Sequence, residues 1–274
     1  MLSLQTGDVV GIASPSHPMN EADCLPFFEQ IEKMGLRVQP ARNLCACSWG
    51  YAASPDERAD EVLPLIDYEA AKRQEKIYLS YSDGTSILNA IHARTGQTVL
   101  YGQAPWHLID PQPYNRDMLR AYLFEGGLRE HKKALPWRTI REGRAHGILT
   151  GGYLDNYVYL ANASWVKPEA GEDYVLFLED HEQFFGVPHI SDLFARLSAA
   201  PIMRQVRGLL FGHYSEKANA HLERCLWHFG EKWNIPVAIC DDFGHGKYAA
   251  ILPIGEKAEL DATRQTLVYP EIKK

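Results

Sequence analysis

The sequence predicts an α/β protein of two domains, because short apolar runs alternate with helical patterns along most of the chain. Residues 9–13 form an apolar run rich in β-branched residues, and residues 26–34 then show helical periodicity. Residues 76–81 and 98–101 have strand character, with a helical pattern between them. Residues 175–179 are apolar up to a final carboxylate, as in a buried parallel strand.

We predict a first domain over residues 1–104, with a parallel sheet of flavodoxin-like or Rossmann-like type. Gly35 is placed to end the first helix, and a second strand follows it. Ser54 and Pro55 have the residue types of an N-cap and a first helical position, so a helix is predicted over residues 58–71. Residues 86–93 are predicted to form the next helix.

Prolines interrupt the pattern between residues 103 and 143, where only residues 115–128 look helical. We therefore predict a connection over residues 105–145 that carries one helix, and a C-terminal α/β domain over residues 146–274. The elements predicted in this domain are strands near 147–150, 175–179, 206–211 and 236–240, helices over 190–199 and 218–233, and a hairpin over 249–260.

Composition excludes several classes of protein. The net charge of −7 gives nucleic-acid phosphates no general attraction, so we expect no nucleic-acid partner. No run approaches the roughly 20 apolar residues of a membrane span, and the N-terminus lacks a basic segment followed by an apolar one, so we expect a cytoplasmic protein without membrane contact. The five cysteines form no C-x-x-C pair and are predicted to be reduced thiols.

We expect neither a metal nor an organic cofactor. The 11 histidines are scattered, and the chain has no H-E-x-x-H motif. No glycine-rich phosphate-binding motif follows a predicted strand. Trp106, Trp137 and Trp165 could line a peptide cleft, although packing is the commoner use of tryptophan.

Two residues have the character of an acid–base pair. Glu179 ends the apolar run at 175–179, and His245 stands between Gly244 and Gly246 about seventy residues later. A carboxylate and an imidazole at two loop ends suggest hydrolysis, but the chain contains no Gly-x-Ser-x-Gly motif for a nucleophile.

Several stretches resemble the LD-carboxypeptidase family, which includes the microcin-immunity serine peptidases. They share their order and cover nearly the whole chain: Gly-Asp-Val-Val-Gly-Ile-Ala-Ser-Pro-Ser at 7–16, Leu-Pro-Leu-Ile-Asp-Tyr at 63–68, Tyr-Ser-Asp-Gly-Thr at 81–85, Leu-Phe-Leu-Glu-Asp at 176–180 and Phe-Gly-His at 243–245. The resemblance implies a cytoplasmic serine peptidase, dimeric, that cuts a terminal D-amino acid from murein peptides.

The resemblance also implies a Ser-Glu-His triad, in which Glu179 and His245 match the acid and the base. The family's nucleophile elbow is expected between residues 61 and 63, where about two dozen residues are missing from this chain. Ser82, in Ser-Tyr-Ser-Asp-Gly at 80–84, is a stand-in nucleophile, but capping of the following helix is the favoured interpretation. Ser14, Asp83, Gly151 and Gly152 are predicted to contact substrate.

Two functional hypotheses follow. The first is a hydrolase of LD-carboxypeptidase type that acts on murein tetrapeptides or related peptide amides. It requires Glu179 and His245 to share a hydrogen bond near a serine hydroxyl. The second is an inactive family member that binds a muropeptide or a partner protein without turnover, and it rests on the missing elbow.

Overall fold

The computed structural model describes residues 3–48, 51–52, 68–73, 76–109, 112–163, 165–166 and 168–270. The chain divides into two compact units, the first formed by Met1–Ile77 with Ala104–Gly127 and the second by Tyr78–Gln103 with Leu128–Lys274. In the described ranges, no helix is both long enough and apolar enough to cross a membrane.

The elements are numbered in chain order. The strands are β1 (Val9–Ile12), β2 (Arg37–Pro40), β3 (Cys47–Ser48), β4 (Tyr51–Ala52), β5 (Leu79–Ser80), β6 (Val99–Tyr101), β7 (Arg138–Arg141), β8 (Arg144–Tyr153), β9 (Tyr174–Glu179), β10 (Val206–His213), β11 (Val237–Gly244), β12 (Leu252–Ile254), β13 (Lys257–Asp261) and β14 (Thr266–Val268). The helices are α1 (Glu21–Lys33), α2 (Tyr68–Arg73), α3 (Thr85–Thr95), α4 (Pro105–Ile109), α5 (Pro113–Phe124), α6 (Leu154–Asn162), α7 (Val187–Leu197) and α8 (Ala220–Trp233).

The first unit begins with the predicted βαβ arrangement. β1 and β2 pair in parallel, and α1 connects them. The side chain of Asn20 accepts a hydrogen bond from the N–H of Ala22 and so caps the first turn of α1. The apolar face of α1 buries Phe27 and Ile31 in a small core, to which α4 contributes Leu108.

The second unit is built on a seven-stranded sheet of order β14-β13-β8-β9-β10-β11-β7. Its four central strands, β8 to β11, are parallel, while β13 and β7 pair antiparallel at the two sides. α6, α7 and α8 contribute their apolar faces to a core shared with β9 and β10. β9 is buried along its whole length, as its continuous apolar run predicts.

A second sheet in the same unit holds three strands in the order β12-β6-β5. β5 and β6 are parallel and are joined by α3, whereas β12 runs antiparallel to β6. The side-chain amide of Asn89 on α3 donates to the carbonyl of Gly151 on β8 at 3.0 Å. This bond ties α3 to the large sheet.

The α/β class is confirmed, but the two units do not follow the predicted boundaries at residues 104 and 146. Residues 78–103 group with the C-terminal part because β6 pairs with β12 and α3 bonds to β8. The predicted connection over 105–145 is likewise divided, with α4 and α5 in the first unit and β7 in the second.

Most predicted strands and helices are present within a few residues of their expected bounds, but the predicted hairpin over 249–260 is wrong. β12 pairs with β6, whereas β13 pairs with β8 and β14, so the two strands belong to different sheets. The proposed helix over 58–71 and the site of the missing segment lie largely outside the described residues.

Candidate active site

Four polar side chains lie at the carboxyl ends of strands in the second unit. Ser82 follows β5, Tyr101 ends β6, Glu179 ends β9, and His245 follows β11. In open α/β sheets this edge is where ligands bind, because the loops that leave parallel strands converge there. The topology therefore brings together residues that are up to 163 positions apart in the sequence.

Glu179, His245 and Ser82 form a continuous hydrogen-bonded chain. The Nδ1 atom of His245 lies 2.7 Å from Glu179 Oε2, and its Nε2 atom lies 3.0 Å from Ser82 Oγ. With Glu179 ionised, Nδ1 carries the imidazole proton and donates a hydrogen bond to the carboxylate. Nε2 then has a lone pair with which it accepts a hydrogen bond from the serine hydroxyl. This is the geometry that the hydrolase hypothesis requires between an acid, a base and a nucleophile.

Ser82 sits on a sharp turn between a strand and a helix. Its backbone φ is 53°, in the left-handed region that few residues other than glycine adopt. The turn runs from β5 through a single 3₁₀ turn at Ser82–Gly84 into α3. A serine held at positive φ between a strand and a helix is the geometry of a nucleophile elbow.

The favoured interpretation of Ser82 as a helix cap is wrong. α3 begins at Thr85, and its N-cap position is Gly84, which has no side chain to cap with. The Ser82 hydroxyl instead lies against His245. Ser80 occupies the position of the first glycine in the Gly-x-Ser-x-Gly motif, and Gly84 leaves room for its side chain.

Thr85 fastens the elbow to the large sheet. Its hydroxyl donates to the carbonyl of Ser82 at 2.7 Å and accepts from the N–H of Tyr153, at the end of β8, at 2.9 Å. A Cβ at Gly152 would lie 2.4 Å from that hydroxyl, and one at Gly151 would lie 1.7 Å from the carbonyl oxygen of Phe177. Both glycines thus permit close packing beneath the site, and their predicted contact with substrate stays a prediction.

Glycine also brings the histidine close to the carboxylate. Gly244 has φ 99°, and a Cβ there would lie 3.2 Å from the Cβ of Glu179. The left-handed conformation at Gly244 turns the chain at the end of β11 just before His245. Gly244 is therefore required by the close approach of the chain to Glu179.

Three aromatic rings surround the imidazole of His245. The ring centroids of Tyr81, Phe184 and Tyr153 lie 4.7, 4.9 and 5.4 Å from that of His245. Tyr81 and Tyr153 are buried, while Phe184 is half exposed. The rings restrict water around the imidazole and fix its plane, so its hydrogen bonds to Glu179 and Ser82 keep their direction.

The carboxylate of Glu179 is fully buried and is paired on both oxygens. His245 contacts Oε2, and the hydroxyl of Tyr101 donates to Oε1 at 2.5 Å. A buried carboxylate needs such partners to remain charged. Burial, together with the charge of Glu179, holds the pKa of the Tyr101 hydroxyl well above its usual range, so this hydroxyl remains a donor.

Asp180 is a second buried carboxyl group, next to Glu179 in the chain. Its Oδ1 accepts from the N–H of His181 at 2.7 Å, while Oδ2 is buried without a hydrogen-bond partner among the residues that the structure describes. Burial raises the pKa of Asp180 to about 7, and the charge of Glu179 adds to the effect. Asp180 therefore titrates near neutral pH.

Two predicted substrate contacts remain predictions. Asp83 lies in the 3₁₀ turn directly after Ser82. Ser14 lies in the loop after β1, within the first unit. Tyr101 was predicted only as the end of a strand. The sequence signal for a site residue was its position at the carboxyl end of a strand that neighbours β5.

Among the described residues, one group has donor atoms spaced as in a metal site: His131, Cys240 and Asp242, which are all buried. Asp242 Oδ1 accepts from the backbone N–H groups of residues 134–135, and Oδ2 accepts from Trp137 Nε1 and lies 3.0 Å from His131 Nε2. Both oxygens are thus occupied by donors within the protein, so the group fits a hydrogen-bond network better than a metal centre.

Comparison with known proteins identifies the family. The model of the LD-carboxypeptidase N-terminal domain matches residues 59–102, and that of the C-terminal domain matches residues 146–260. Together the two matches contain Ser82, Tyr101, Glu179 and His245. A Synechocystis protein named as a carboxypeptidase, slr1534, is 30% identical over 98% of this chain and 96% of its own length.

More distant relatives share the whole length. The "Probable murein peptide carboxypeptidase" of Bacillus subtilis is 23% identical over 97% of this chain and 92% of its own. The Microcin C7 self-immunity protein MccF of Escherichia coli is 22% identical over 98% and 94%. Among solved structures, an MccF-like protein from Bacillus anthracis has a TM-score of 0.83 at 18% identity, with 98% of each chain covered. Taken with the domain matches, these similarities show that the chain belongs to the LD-carboxypeptidase family.

Proposed function

We propose that this protein is an active serine-type LD-carboxypeptidase, with Ser82 as nucleophile, His245 as general base and acid, and Glu179 as the group that orients His245. The observation that carries the proposal is the hydrogen-bonded chain from Glu179 through His245 to Ser82, on a serine at φ 53°. The alternative of an inactive binding protein rested on a missing nucleophile, and the position of Ser82 removes that reason.

The first half of the reaction forms an acyl-enzyme. His245 Nε2 accepts the hydroxyl proton as Ser82 Oγ attacks the substrate carbonyl, and the buried charge of Glu179 stabilises the imidazolium. The backbone N–H of Asp83, the residue after the nucleophile, is the expected donor to the oxyanion, and the N-terminal end of α3 favours negative charge there. His245 then gives its proton to the departing amine, and the C–N bond breaks.

The second half releases the acid. A water molecule loses a proton to His245 Nε2 and attacks the acyl carbonyl, and the proton returns to Ser82 Oγ as the ester bond breaks. The products are a shortened peptide with a new carboxylate and a free amino acid. Each step uses only side chains that are already in hydrogen-bond contact.

The names of the relatives support a choice of substrate. A murein tetrapeptide that ends in D-alanine is the proposed substrate, in keeping with the name of the Bacillus subtilis relative. Solved structures of MccF hold aspartyl sulfamoyl adenosine and glutamyl sulfamoyl guanosine, so an acylated sulfamoyl nucleoside is the informative second compound to assay. A cytoplasmic location and a homodimer complete the proposal, and sedimentation velocity tests the dimer.

The test is mass spectrometry of a murein tetrapeptide incubated with the wild type, Ser82→Ala and His245→Ala, beside the same peptide ending in L-alanine. We expect the wild type alone to release the terminal D-alanine, and to leave the L-alanine peptide intact. Release by Ser82→Ala at the wild-type rate would contradict the proposed nucleophile. Cleavage of aspartyl sulfamoyl adenosine but not of the tetrapeptide would keep the chemistry and replace the substrate.

A further inference from the structure

Tyr101 makes two hydrogen bonds that join different parts of the site. Its hydroxyl donates to Glu179 Oε1 at 2.5 Å and accepts from the backbone N–H of Ser82 at 3.2 Å. A phenolic hydroxyl carries a single proton and an ionised carboxylate has none to give, so these directions follow from the chemistry of the groups. One buried oxygen atom therefore links the main chain of the elbow to the carboxylate that holds His245.

The position of this oxygen is rigid. Tyr101 ends β6 and has no exposed surface. Its ring packs against the rings of Phe177 and Tyr81 at centroid distances of 5.5 and 5.8 Å. The ring cannot turn away without opening the core of the unit, so the hydroxyl is a fixed point for both of its partners.

The bond from the Ser82 N–H to Tyr101 helps to hold the backbone of the elbow in its strained conformation. The left-handed conformation of Ser82 is unfavourable for a residue with a Cβ, and such strain persists only where surrounding groups hold it. Tyr101 holds the amide end of this residue, while Thr85 holds the carbonyl end. The N–H of Ser82 is thereby occupied, which leaves the next residue as the expected oxyanion donor.

The bond to Glu179 acts on the proton equilibrium of the site. Glu179 and His245 share a hydrogen bond, so whatever stabilises the charge of the carboxylate bears on how strongly the imidazole attracts a proton. In the deprotonated pair the buried carboxylate bears the full negative charge, and the Tyr101 hydroxyl stabilises that state more than the neutral one. Loss of the hydroxyl would therefore make the pair bind its proton more tightly.

We propose that Tyr101 is a positioning residue that sets both the conformation of the Ser82 elbow and the basicity of the Glu179–His245 pair through its one hydroxyl group. This inference rests on the proposed function for its consequence in turnover. The effect on the pair does not depend on which substrate is cleaved, or on whether any is.

The test compares Tyr101→Phe with Tyr157→Phe. The first variant keeps the buried ring and loses only the hydroxyl. The second is a matched control, because Tyr157 is also fully buried in the same unit and its hydroxyl contacts Thr150, away from the triad. Two readouts are taken on each variant: the pH titration of His245 by ¹⁵N NMR, assigned with a His245→Gln sample, and the pH profile of kcat/KM on the tetrapeptide.

For Tyr101→Phe we expect the His245 titration and the acid limb of kcat/KM to move to higher pH, with kcat lower by about 10- to 100-fold and KM within about twofold. Tyr157→Phe should move none of these. An unshifted His245 titration in a folded Tyr101→Phe protein would overturn the inference. A shifted titration without turnover by any variant, wild type included, would keep the role of Tyr101 and reject the proposed function.

Discussion

Gly84 lies directly against Ser80 across the turn that carries Ser82: a Cβ at position 84 would be 1.9 Å from Ser80 Oγ and 2.6 Å from Ser80 Cβ. Apart from the adjoining residues and the helix backbone, Ser80 is the one described residue within 4 Å of that hypothetical atom. The backbone of Gly84 is in the ordinary helical region, so space and not φ requires glycine there.

Gly84→Ala should therefore destabilise the protein by about 1–3 kcal/mol through overpacking and displace the elbow. The double variant Ser80→Gly with Gly84→Ala restores the space and should recover most of the stability and the activity. Urea unfolding and tetrapeptide turnover of the two single variants and the double variant form a complete cycle. Equal losses in Gly84→Ala and in the double variant would show that Ser80 is not the obstacle.

Glu179→Gln should lower kcat by about 10²- to 10⁴-fold with little change in KM, because an amide can neither fix the imidazole tautomer nor stabilise the imidazolium. Steady-state kinetics on the tetrapeptide measure both constants. Glu259→Gln is the control, since Glu259 is exposed on β13. Wild-type kcat in Glu179→Gln would remove Glu179 from the mechanism.

Asp180 should make folding stability depend on pH. Its pKa is raised to about 7 in the folded protein, so between roughly pH 4 and pH 7 the folded state holds a proton that the unfolded state has lost. This group therefore contributes stability below pH 4 that declines as the pH rises to 7.

Asp180→Asn, which stays neutral, should gain stability relative to the wild type across that interval, with the difference constant above it. Urea midpoints of both proteins from pH 4.5 to pH 8.5 provide the comparison. A difference between the two proteins that does not change with pH would show that Asp180 titrates normally.

Asp242→Asn should destabilise the second unit by about 3 kcal/mol or more. Asp242 is fully buried, and its two oxygens accept from the Trp137 ring, from His131 and from two backbone N–H groups. An amide has only one acceptor oxygen, so donors are left unpaired in the core.

Asp192→Asn provides the control for Asp242→Asn, because it removes an exposed ion pair with Arg196 on α7 and should cost under about 1 kcal/mol. Chemical denaturation measures both variants. Equal stabilities would mean that the network around Asp242 contributes little.

The sequence predicted those strands and helices that a local pattern of residues determines. The continuous apolar run at 175–179 predicted a buried strand, and the helical periodicity at 26–34 predicted α1. The sequence did not predict the sheets correctly where strands that are distant in the chain pair with each other. Nothing local to residues 252–261 indicates that β12 joins β6 while β13 joins β8.

The candidate site shows the same division. Glu179 and His245 were found from a strand end and a pair of glycines, and the structure places them 2.7 Å apart. For Ser82, helix capping was favoured because position 80 lacks the glycine of the motif, whereas the structure places the Ser82 hydroxyl 3.0 Å from His245 and Gly84 directly against Ser80. Tyr101 was predicted only as the end of a strand, because its hydrogen bonds to Ser82 and Glu179 depend on tertiary contact.

Peptide mapping after reaction with a serine-directed fluorophosphonate tests whether Ser82 is the nucleophile. We expect one adduct on wild type, located on the peptide that contains Ser82, absent from Ser82→Ala and much slower to form in His245→Ala. An adduct on another serine, or equal labelling of wild type and Ser82→Ala, would contradict the account.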